Sequence, residues 1–105
     1  MNVAAVKTRF DFQAAVANML DGIGAHPSHA PDAQPLDYQL WTRAGLLSLH
    51  PFDTWLHSRF QDPRAAAHII PGGPLNACSG KWNWHFTQPT PADVDQLERL
   101  LERLL

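Results

Sequence analysis

The chain of 105 residues carries one cysteine, Cys78, so it forms no disulfide within itself. It has only two lysines, Lys7 and Lys81, and charged residues make up 17% of it. With a net charge of −2, it lacks the cationic excess of a protein that binds nucleic acid by bulk electrostatics. No apolar run passes four residues, so nothing approaches a membrane span. The opening stretch MNVAAVKTRFDF holds no apolar core of a secretory signal, and a cytoplasmic location is expected. Ligand spacing that would gather a metal site is scarce as well, with His26-x-x-His29 the one short histidine pair. His26 and His29 fall in a proline-rich stretch, and His50, His57, His68 and His85 stand singly. No metal and no cofactor are therefore expected.

What the chain does have is four Trp, six His and nine Pro. The length fits one domain over residues 1–105, burying roughly 65% of its extended surface on folding. Arginine outnumbers lysine six to two and alanine is abundant, which points to a bacterial source.

The hydrophobic periodicity predicts a helix over 10–23, with Phe12, Ala15, Val16, Met19, Leu20 and Ile23 along one stripe. Thr8 and Asp11 suit its start, and Gly22 and Gly24 its end. Residues 26–35, HPSHAPDAQP, read as a proline-rich surface loop. Residues 36–49 fit either period. Leu36, Tyr38 and Leu40 alternate as in a strand, whereas Leu40, Ala44 and Leu47 fit a helix; two short strands are the preferred reading. A strand follows over 54–60, with Leu56 and Phe60 on one face and Trp55, His57 and Arg59 on the other. Asp62-Pro63 opens a helix through Ile70, which Pro71-Gly72-Gly73-Pro74 stops. Over 81–86, Trp82, Trp84 and Phe86 alternate with Lys81, Asn83 and His85. A last helix starts at Thr90-Pro91 with Asp93 completing a capping box, and Val94, Leu97, Leu101 and Leu104 form its apolar stripe. The sum is an α+β domain: a small antiparallel sheet of three or four strands, with about three helices packed mainly on one face.

If the strands around Leu56 and Trp84 are neighbours, their polar faces gather His57, Arg59, Lys81, Asn83 and His85. Trp55 then forms an aromatic wall, and Asn76 and Ser79 sit on the adjoining loop. Such a cluster holds a carboxylate or phosphate through charge-assisted hydrogen bonds. The bland alternative is the solvated face of a half-exposed sheet. The loop itself is no nucleotide-phosphate loop: Leu75 stands where the first glycine belongs, and Trp82 replaces the hydroxyl residue after Lys81. His85-Phe86-Thr87 carries half of the two-histidine phosphoesterase pattern without a second copy, and identifies no family.

Three readings remain open. The leading one is a non-enzymatic domain that binds a small anionic ligand or a partner protein through this face. The second is a small hydrolase or isomerase with His57 or His85 as general base and Arg59 opposing the developing charge, its catalytic residues otherwise unassigned. The third is a structural or interaction subunit, a homodimer built on the C-terminal leucine stripe or on exposed aromatics.

Overall fold

The computed structural model describes residues 10–29, 31–62, 64, 75, 76 and 81–105; at 75, 76, 81 and 82 it describes the backbone alone. Helix α1 spans Phe12–Gly22. Asp11 caps it by accepting the Ala14 N–H at 3.0 Å, as a short carboxylate at this position does. Phe12, Val16, Met19 and Leu20 are buried at helical spacing, while Phe10, ahead of the cap, is exposed. Gly24, at φ +94°, takes the left-handed conformation that releases the chain from the helix.

Among the described residues, six antiparallel strands follow in one sheet, in the order β1-β2-β3-β4-β6-β5. They are β1 (His26–Pro27), β2 (Tyr38–Thr42), β3 (Gly45–Pro51), β4 (Trp55–Phe60), β5 (Leu75–Asn76) and β6 (Lys81–His85). Helix α2, Pro91–Glu102, closes the fold. The Asp93 carboxylate accepts the Thr90 backbone N–H at 2.8 Å and its hydroxyl at 3.1 Å.

The α+β class with an antiparallel sheet is as the sequence implies, but the strand count is not. Two of the six strands are two residues long, too short to carry any alternation. One of them, His26–Pro27, lies inside the segment expected to be a plain surface loop. It pairs with Gln39 and Tyr38 at the sheet edge, where a proline leaves no ladder donor unmet. Leu36 does not alternate with Tyr38 and Leu40 as expected; it precedes β2, 39% exposed, at φ +68°. The described residues include two helices, and the one expected over 64–70 lies outside them except for Arg64. Arg64 donates to the Asp62 carboxylate and holds it below its usual pKa, through side-chain hydrogen bonds first and its backbone N–H second.

β2 and β3 form a hairpin whose tip is Arg43-Ala44. Gly45, at φ +108°, closes it, and the Thr42 hydroxyl donates to the Gly45 carbonyl at 2.8 Å. The tip docks on the end of α2. The Arg43 N–H donates to the Leu104 carbonyl at 2.8 Å, and its guanidinium to the Arg103 carbonyl at 2.6 Å. A cation on the carbonyl end of a helix is favourably placed in the helix dipole.

One core joins α1, α2 and the inner face of the sheet. It contains Leu40, Leu47, Leu49, Leu56 and Phe60 from the strands, with Val94, Leu97, Leu101 and Leu104 from α2 and its end. The leucine stripe is thus buried inside the chain's own fold, and a dimer has no use of it. Trp84 and Phe86 pack half-buried against this core, and Phe86 tilts onto Phe12 with ring centroids 5.3 Å apart. Ser58 is the exception on the inner face. It is fully buried, and its hydroxyl has no hydrogen-bond partner among the described residues.

Candidate functional site on the outer sheet face

Inward burial of alternate residues forces the others outward. β4 pairs with β6 so that Trp55 lies opposite His85, His57 opposite Asn83 and Arg59 opposite Lys81. This register places the expected polar residues of the two strands at facing positions on one side of the sheet. The register of β2 and β3 extends that side. Gln39 faces Ser48, Ser48 faces Arg59, and His50 faces His57.

Two levels of the outer face result. One crosses four strands through Gln39, Ser48, Arg59 and the Lys81 position, with Asn76 of β5 beyond it. The next passes through His50, His57 and Asn83. A surface cleft of about 430 Å³ runs over both levels, with Gln39, Ser48, His50, His57 and Arg59 on its floor. Ser28, Asp32, Ala33 and Asp37 line it from the segment between β1 and β2. A hollow of about 330 Å³ continues it around Gln39, Ser48 and Arg59 toward Leu46 and Gln61. No carboxylate lines that continuation, and none among the described residues pairs with Arg59.

The other end of the cleft is aromatic. A hollow of about 420 Å³ shares Asp37, His50 and His57 with the main cleft and adds Gln34, Pro35 and Phe52. Phe52 stacks on Trp55 with centroids 4.0 Å apart, and Trp55 stacks in turn on His85 at 5.0 Å. Trp55 is thus engaged by the Phe52 and His85 rings, and it is not among the residues that line the cleft or this hollow.

Of the seven expected site residues, His57 and Arg59 line the cleft. Asn83 stands beside His57 in register, with its Oδ1 buried and without a hydrogen-bond partner among the described residues. His85 is exposed and lies one level further away, on the Trp55 ring. Lys81 and Asn76 hold the register positions just described, their side chains lying outside the described structure. Ser79 lies outside the described residues, as does Cys78.

Sequence reasoning missed Gln39, Ser48, Asp37 and His50. The last two form a pair: the His50 Nδ1 hydrogen-bonds the Asp37 Oδ1. Asp37 is held from behind, since its Oδ2 accepts the Gln34 N–H at 2.6 Å and its own N–H donates to the Gln34 carbonyl at 3.1 Å. A signal existed in the hairpin. With its tip at Arg43-Ala44, the register that sets Tyr38 against Leu49 continues to Asp37 against His50.

No group of three or more His, Cys, Asp or Glu side chains among the described residues is arranged to hold a metal ion. No described helix is long and apolar enough to cross a membrane. A separate hollow of about 600 Å³ between Asp11, Asp53 and Thr87 is lined by carboxylates and by no described cation. Compared with known proteins, the chain matches no family model, no curated protein and no solved structure.

Proposed function

We propose that this domain binds a small carboxylate or phosphate on the outer face of its sheet, over the level formed by Gln39, Ser48 and Arg59. The observation that carries this reading is the cross-strand row itself. An amide, a hydroxyl and a guanidinium on three adjacent strands supply donors at one level, with Lys81 at the next position along. Rows on paired strands lie about 5 Å apart, so one small anion spans two of them. Arg59 is the anchor, because a guanidinium offers a planar pair of donors that matches a carboxylate or phosphate edge. The Asp37 carboxylate is already satisfied by His50 and Gln34, and so opposes the anion less than a bare one.

Calorimetric titration with inorganic phosphate and with para-hydroxybenzoate tests this. Arg59→Met keeps the stem and removes the charge. It is expected to weaken binding about tenfold to a hundredfold, the range of one charged hydrogen-bonded contact. Equal affinity in the variant and the parent contradicts the reading.

A protein-partner surface is the second reading, favoured by Trp41. This indole is 69% exposed and stands opposite Leu46 on the same outer face. Sedimentation of the parent against Trp41→Ser separates the two readings. Self-association lost in the variant supports the second, and a monomer in both cases removes a homodimer built on this side chain.

A further inference from the structure

We propose that His50 acts as a general base, positioned by Asp37, in the hydrolysis of a small anionic ester held over Arg59. This rests on the anion-binding reading and names the chemistry carried out beside the anion. A carboxylate only accepts, so the His50 Nδ1 carries the proton given to Asp37; in the neutral ring, the form a general base requires, Nε2 then holds the lone pair. Nε2 makes no hydrogen bond to a described residue, and the ring lines both the main cleft and its aromatic end. The pair is partly sheltered, with the His50 side chain 18% and the Asp37 side chain 28% exposed. Asp37 is itself fixed by two hydrogen bonds to Gln34, so the imidazole is aimed before anything binds.

The placement relative to Arg59 gives the substrate class. His50 faces His57 across β3 and β4, and Arg59 follows His57 two residues on, on the same side of the sheet. A molecule anchored by its carboxylate at Arg59 lays its next few atoms along the cleft toward His50, with Phe52 and Pro35 at the far end. That suits a carboxylate joined to a short, flat, apolar body. The cleft is open to solvent, which favours water as the nucleophile over a carbanion that must be shielded from it. In the step, Nε2 takes a proton from water as the water oxygen bonds to the acyl carbon. The bond from that carbon to the ester oxygen then breaks, and Nε2 returns the proton to the departing oxygen. Ester and water become acid and alcohol, and His50 ends as it began.

The probe is para-acetoxybenzoate, an aryl acetate whose own carboxylate is too remote to attack the ester, beside the neutral para-acetoxybenzamide. The expected result is saturable hydrolysis with kcat/KM for the acid at least about tenfold above the amide. His50→Gln lowers kcat by about a hundredfold or more, the usual scale for a lost general base. Asp37→Asn, which keeps the acceptor for Gln34, lowers kcat by a similar factor with KM nearly unchanged. It also moves the His50 ring nitrogens away from the Nδ1–H form in nitrogen NMR, a change that mere loosening of the loop does not produce. Turnover equal in the parent and His50→Gln, with para-hydroxybenzoate still bound, overturns the base assignment and leaves the anion site standing. Equal rates for the acid and the amide, unaffected by Arg59→Met, overturn the anion site and with it this substrate class.

Discussion

Phe52 and Trp55 stack almost parallel, 4° apart, at the turn that joins β3 to β4. The Phe52 N–H donates to the Trp55 carbonyl at 2.7 Å, so the backbone closes the same turn that the rings cover. His50 tilts onto Phe52 and His85 stacks on Trp55, which makes the turn an aromatic bracket linking β3, β4 and β6. It fixes one end of the outer face, as the Arg43 contacts with α2 fix the tip of the β2–β3 hairpin.

Trp55→Ala removes two stacked pairs at once. Each such pair adds about 0.5–1.5 kcal/mol beyond its buried area. Urea unfolding is expected to show a loss of about 1–3 kcal/mol. The His85 resonances are expected to move to free-ring values. A neutral substitution contradicts the bracket.

Ser58 is a polar group in an apolar place. Its hydroxyl left water on folding and found no partner among the described residues, which costs about 1–3 kcal/mol. Ser58→Ala deletes that atom and leaves a small gap. The expected outcome is a protein stabilised by about 1 kcal/mol in urea unfolding. Destabilisation by that amount shows instead that the hydroxyl makes a bond that matters.

Leu36 occupies the left-handed region at φ +68°, where a side chain of its type is strained by about 1–2 kcal/mol. It is 39% exposed, so little burial rewards it. Leu36→Asn is expected to raise the unfolding midpoint while keeping Asp37 on His50, because asparagine tolerates this backbone.

Tyr38 is the chain's single tyrosine, so the alkaline absorbance titration reads it alone. Burial raises its pKa above the ordinary phenol value, and the nearby Asp21 charge raises it further. The folded state therefore favours the neutral phenol. Its stabilising contribution is whole below about pH 10 and is lost as pH climbs through the raised value. Tyr38→Phe flattens that alkaline decline in stability, and Asp21→Asn lowers the titration midpoint.

The outer face is legible in the sequence where periodicity is clean and concealed elsewhere. Leu56, Phe60 and Trp84 alternate with His57, Arg59 and Asn83, so the alternation marks both strands and sorts each one's polar residues onto one side, while the pairing that makes it a common face comes from the fold. Gln39 and Ser48 belong to the same face but lie in 36–49, where leucines at both spacings blur strand and helix. Asp37 and His50 are thirteen residues apart, and only the position of the hairpin tip makes them opposite. β1 leaves no signal because two residues form no pattern, and its hydrogen bonds to β2 come from the backbone. The leucine stripe of α2 is legible as an apolar face, and burial in the chain's own core is what decides its use.

The most direct measurement is an amide chemical-shift titration of the folded protein with para-hydroxybenzoate. An anion site over Arg59 predicts saturable shifts at Gln39, Ser48, His57 and Arg59, with the inner-face Leu40, Leu49 and Leu56 moving little and Arg59→Met abolishing the effect. Shifts concentrated elsewhere, such as at the start of α2, or unchanged in Arg59→Met, contradict it.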